Sequence, residues 1–107
     1  MRYISSDSFN FVEGDLLKNY AYPLNEDWSS QEIATVVAFL AKVEAAYETQ
    51  ARVKDFKAAY RDFKQIVTSI AEEKQLDKQF GKVSGYSIYQ CVKKMKELAD
   101  DAVLKMP

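Results

Sequence analysis

Three groups of side chains in this chain have types and spacings that could do chemistry. Glu72, Glu73 and Asp77 place three carboxylates within two turns of a predicted helix, the kind of oxygen cluster a hard divalent cation needs. Lys74 and Lys78 are interleaved with them, however, and Glu72 stands three residues after Ser69, where it serves as a capping partner. The expected reading is a solvated helix start. Cys91 could act as a nucleophile or redox sensor only as a thiolate. It falls on the apolar arc of a predicted helix with no charged neighbour fixed beside it, so a small buried hydrophobe is expected. Lys54, Lys57, Arg61 and Lys64 form a basic stripe that could contact phosphates. The same residues can lay their stems along the edge of a core and hold their charges in water, and that structural reading is preferred.

Absences narrow the function further. The chain contains no histidine, which removes the usual general base near neutral pH, the Ser-His-Asp arrangement and the commonest metal ligand. A helical di-iron site needs Glu-x-x-His and has no residues to build it. Three scattered glycines make no phosphate-cradling loop. No catalytic, cofactor-binding, metal-binding or small-molecule site is therefore assigned, and binding to another protein is the expected mode of action. Tyr20, Tyr22, Trp28, Tyr86 and Tyr89 gather just before or at predicted helix starts, where rings can act as lids on the core or as large, rigid contact area. The expected interaction surface is Tyr22, Trp28, Tyr86, Tyr89 and Lys93, with an unidentified protein or a second copy of the chain as partner.

These residues are carried on or just before predicted helices. The first capping box, Ser29 with Glu32, and the staple pair Trp28 and Ile33 predict a helix over about residues 30–49, with Ile33, Val36, Val37, Leu40, Val43 and Tyr47 on one face. Pro23 keeps the preceding chain extended. Val53, Phe56, Tyr60, Phe63 and Val67 predict a second helix ending near Ile66 or Val67. Ser69 with Glu72 starts a third, carrying Leu76, Phe80 and Val83 on a narrow strip. Gly85 closes it at a sharp corner, and Ser87 with Gln90 starts a fourth. That fourth helix is expected to carry Ile88, Cys91, Val92, Met95, Leu98, Ala99, Ala102 and Val103 on one arc and to end at Pro107. The prediction is an all-α, compact four-helix array with no strand between residues 30 and 105.

At 107 residues the chain is one domain's worth, read as residues 21–107 with an extension at 1–20. Purine-rich codons expected for Glu13, Gly14 and Asp15 resemble a bacterial ribosome-binding site, which suggests a native start near Leu17. Formal net charge is −1, but residues 52–107 carry twelve bases against eight acids, so any anion-facing surface is expected there. No run approaches the roughly 20 apolar residues of a membrane span, no charged-then-apolar leader opens the chain, and a single cysteine fits a reducing compartment. A cytoplasmic location is expected. The alternative function is nucleic-acid binding through a helix-turn-helix-like element at residues 76–95, where Val83, Ser84, Ser87 and Ile88 take suitable places. Lys78 and Lys82 stand where that motif wants small residues, and Lys93, Lys94 and Lys96 come late in its second helix.

The run Tyr22-Pro23-Leu24 with Trp28-Ser29, then Val43-Glu44-Ala45-Ala46-Tyr47-Glu48, Phe63-Lys64, Ile66-Val67, Glu72-Glu73-Lys74 and Ser84-Gly85-Tyr86-Ser87-Ile88-Tyr89, resembles uncharacterised protein family 0223, the YktA-like small proteins of Gram-positive bacteria. The resemblance covers about Tyr20 to Glu97. Thr68 stands where family members often have proline, which implies a looser second-to-third connection. The resemblance implies a compact helical fold in a bacterial cytosol and carries no activity with it.

Overall fold

Capping and periodicity decide most of the backbone. In a computed structural model, which describes residues 2–5 and 21–107, the order is β1 (Arg2–Ser5), β2 (Ala21–Leu24), α1 (Ser30–Glu48), β3 (Ala51–Arg52), α2 (Val53–Ile66), α3 (Ile70–Ser84), α4 (Ile88–Lys96) and β4 (Val103–Leu104). The expected start near Leu17 falls outside the described residues, as does Tyr20. β1 and β2 pair antiparallel, Ile4 opposite Tyr22, and Pro23 is tolerated because a two-stranded ladder is all edge.

The three helices with an expected serine cap begin where expected, and α2 begins at Val53, the first residue of its apolar stripe. Ser29 forms the full reciprocal box with Glu32, at 3.1 Å from the serine hydroxyl to the Glu32 N–H and 2.8 Å from the Glu32 carboxylate to the Ser29 N–H. Ser69 and Ser87 accept from the N–H groups of Glu72 and Gln90. The Ser87 N–H is taken instead by the Tyr47 hydroxyl of α1, at 3.3 Å, so a long-range partner completes that start. Gly85 adopts φ 81°, ψ 4°, the left-handed conformation that glycine reaches without strain, and closes α3 with an N–H bond to the Gly81 carbonyl.

The core lies between α1 and α2 and is covered by α3, α4 and β2. Phe39 stacks on Phe63 at 4.5 Å between ring centres and meets Phe56 edge-on at 5.4 Å. Val36, Leu40, Val43, Leu76, Phe80 and Cys91 are fully buried around them.

The C-terminal region corrects the expectation of a helix reaching Pro107. α4 ends at Lys96, a turn follows, and Val103–Leu104 pairs antiparallel with Ala51–Arg52, Ala51 opposite Leu104. The strand-free expectation for residues 30–105 is corrected with it, by these two short strands. The cause is local demand from elsewhere in the fold. The α1–α2 connection exposes backbone groups that need partners, and the tail supplies them: Val53 N–H donates to the Ala102 carbonyl at 3.1 Å, and Met106 N–H to the Ala46 carbonyl at 2.7 Å. Leu104 is fully buried by this path. On a continued helix it would lie about 160° from Ile88, on the wrong side.

Candidate functional site

α3 and α4 are joined by only Gly85–Ser87, and between them opens a groove of about 510 Å³. One face of α3, Ile70, Glu73, Lys74 and Asp77, forms a wall at i, i+3, i+4 and i+7 spacing. The opposing wall is a face of α4, with Ile88 and Val92 on the floor and Tyr89, Lys93 and Lys96 above them. Ile70 is 69% exposed and Tyr89 61%, two large apolar side chains left in solvent on facing helices.

Four hydrogen bonds fix this geometry. Asp77 turns its carboxylate onto the start of α4, accepting from Ile88 N–H at 2.8 Å and Tyr89 N–H at 3.2 Å. A carboxylate is favoured there by the unpaired N–H groups and the positive end of the helix dipole. Glu73 accepts from Lys64 at 2.5 Å and from the Tyr60 hydroxyl at 3.3 Å, tying α3 to α2. Burial, and then the Glu73 charge, push the Tyr60 hydroxyl up to about 12.

The expected surface residues divide. Tyr89 and Lys93 lie together in the groove, one turn apart on α4. Tyr22 is buried, with its hydroxyl 3.2 Å from both oxygens of the buried Glu44 carboxylate, and presents little surface to a partner. The reason is β2, which carries Tyr22 into the core rather than over a helix start. Trp28 is half-buried against the core. Tyr86 stacks on Tyr47 at 4.6 Å and donates to Glu48 at 2.6 Å, a bond that, with burial, raises its hydroxyl to about 12. Neither Trp28 nor Tyr86 joins the groove.

Ile70 and Asp77 were not among the expected surface residues. Ile70 left a trace in the sequence, since it is a large apolar side chain about 120° away from the Leu76, Phe80 and Val83 strip. Asp77 stood out only as one of three neighbouring carboxylates, and its bond to the start of α4 left no trace, because its partners belong to another helix.

The remaining chemistry is quiet. Cys91 is buried, and burial, reinforced by Asp77, pushes its thiol up to about 12. The basic stripe is half committed: Lys57 pairs with Asp100 at 2.6 Å and Lys64 with Glu73, while Lys54 and Arg61 stay exposed. Among the described residues no three metal-ligating side chains converge, and no helix is long and apolar enough to cross a membrane.

The sequence profile of "Uncharacterised protein family (UPF0223)" matches residues 19–104. The chain belongs to that family. A UPF0223 protein of Streptococcus uberis is 50% identical over 80 residues, covering 75% of this chain and 87% of the relative. Another, from Bacillus mycoides, is 45% identical over 87 residues, covering 81% and 98%. A third, from Streptococcus agalactiae, is 46% identical over 81 residues, covering 76% and 87%. The UPF0223 match takes in every element from β2 to β4 and so the whole groove.

Proposed function

We propose that this chain is a non-catalytic cytoplasmic protein that acts by binding another protein through the α3–α4 groove, with Tyr89 and Lys93 in the contact. The observation that carries the reading is the pairing of Ile70 and Tyr89, each more than half exposed, above an apolar floor. Tyrosine at such a place gives large contact area with few torsions to fix. A non-catalytic role is supported by the titrating groups. General acid–base work wants a pKa near the working pH. Among the described residues the resolved shifts run the other way, with Tyr60, Tyr86 and Cys91 raised to about 12 and Asp100 lowered by its bond to Lys57. A single cysteine held as a buried thiol is in keeping with a reducing compartment.

Nucleic-acid binding at residues 76–95 is the competing reading. Its base-reading positions would be the first residues of α4, where Asp77 presents a carboxylate.

The test is paired. Affinity capture from the native host with the full chain and with Tyr89→Ser is expected to lose specific proteins in the variant. A low-salt fluorescence titration with duplex and single-stranded oligonucleotides is expected to show no binding. Identical captured sets, or salt-sensitive oligonucleotide binding, would overturn the proposal.

A further inference from the structure

We infer that the occupant of the α3–α4 groove is an acidic amphipathic helix of a partner protein, about two turns long in contact, lying apolar side down. The inference rests on the reading of the groove as a contact surface and adds the chemistry of what fills it. Ile88 and Val92 below Ile70 and Tyr89 supply an apolar bed. Its length is set by the walls. From Ile70 to Asp77 and from Ile88 to Lys96 the helices rise about 10 to 12 Å at 1.5 Å per residue. A helix of that span offers apolar anchors at i, i+3 or i+4, and i+7, the pattern by which helices fill grooves.

The rim supplies the sign of the partner's charge. Lys74, Lys93 and Lys96 line the groove together with Glu73, Asp77 and Glu97, but two of those acids are engaged within the fold. Glu73 is held by Lys64 and Tyr60, and Asp77 by the N–H groups of Ile88 and Tyr89. Among the described residues no ion pair engages Lys74, Lys93 or Lys96. With Glu73 offset by Lys64, Lys74, Lys93 and Lys96 stand against Asp77 and Glu97, a rim of small net positive charge in which Asp77 is turned into the start of α4 and the lysines are the side chains left to meet a partner. Carboxylates outside an apolar stripe complement that rim. A second copy docked by the same groove would bring together two patches of the same net positive sign, since a two-fold contact repeats the same patch on both sides. A nucleic acid would leave the apolar floor without a complement.

The test is selection of displayed random 16-residue peptides on the full chain, counter-selected on Tyr89→Ser. Tyr89, Lys93 and Lys96 are exposed, so the variants should fold, which circular dichroism checks. Enriched peptides are expected to be net acidic with apolar residues at helical spacing. The best of them, made synthetically, should bind about tenfold more weakly to Lys93→Glu/Lys96→Glu and lose affinity with added salt. Neutral or basic peptides that still depend on Tyr89 would overturn the acidic-helix assignment and leave the contact surface standing. Failure to enrich any peptide, or peptides indifferent to Tyr89→Ser and Ile70→Ser, would overturn both. A dimer in light scattering that Tyr89→Ser dissociates would give the groove to a second copy instead.

Discussion

Asp77 of α3 accepts the backbone N–H of Ile88, the first residue of α4, at 2.8 Å. One side chain thus sets how the two walls of the groove meet, and its second oxygen adds the N–H of Tyr89 at 3.2 Å. Asp77→Ala leaves both donors without this acceptor and is expected to cost about 1–3 kcal/mol. Asp77→Asn keeps one acceptor oxygen and should cost less. Urea unfolding of both variants checks the order, and midpoints equal to the parent would contradict it.

The caps give a second set of expectations. Ser29→Ala removes half of a complete reciprocal box and should cost about 0.5–2 kcal/mol. Ser87→Ala should fall in the same range. Because the Ser87 N–H is held by Tyr47, Tyr47→Phe should add a smaller loss of its own, about 0.5–1.5 kcal/mol. An unchanged midpoint for Ser29→Ala would count against the role given to that box.

Phe39 touches Phe56, Tyr60 and Phe63 from the middle of α1. Phe39→Ala opens a cavity beneath three aromatic rings and is expected to cost about 3–5 kcal/mol. For a domain of this size that approaches the whole stability, so the variant should be partly unfolded at 37 °C. A cooperative thermal transition within a few degrees of the parent's would contradict the placement of the core.

Much of this was legible in the sequence. Serines three residues ahead of glutamate or glutamine marked three helix starts, and Gly85 marked a left-handed turn, because those signals are local and each residue supplies its partner nearby. The tail misled for the opposite reason. Ala99, Ala102 and Val103 continue the α4 period, yet the partner for their backbone is the α1–α2 connection, about fifty residues away in sequence. Leu104, off the arc, was the one residue that argued against the helix. Tyr89 stood out as an aromatic at a helix start and Lys93 as a cation outside the apolar arc, and both are exposed on α4. Tyr22 was not legible as core, because its burial depends on β2 meeting Glu44 and Phe80.

Alkaline conditions should unfold the chain. Burial holds the Cys91 thiol up at about 12 against an ordinary 9.0. Burial at Tyr60, and the Glu48 bond at Tyr86, hold those hydroxyls at about 12 against 10.0. The folded chain keeps protons that the unfolded chain releases, so stability is fully present below about pH 9 and falls as pH rises from 9 toward 12. Urea midpoints at pH 7, 9 and 10.5 should drop only at the last. In the same way Cys91 should resist a thiol-specific reagent at pH 8, where about one thiol in ten thousand is ionised, and react promptly in guanidinium. Rapid labelling of the folded chain would contradict the buried assignment.

We propose the α3–α4 groove as the surface on which a partner protein docks. A photo-crosslinking phenylalanine analogue placed at position 70 or 89 in the full chain, expressed in the native host, reads that contact directly. Gln31 and Gln65, exposed on α1 and α2, provide control positions. A discrete crosslinked protein is expected from positions 70 and 89 and none from 31 and 65. Adducts from the control positions with none from the groove would contradict it.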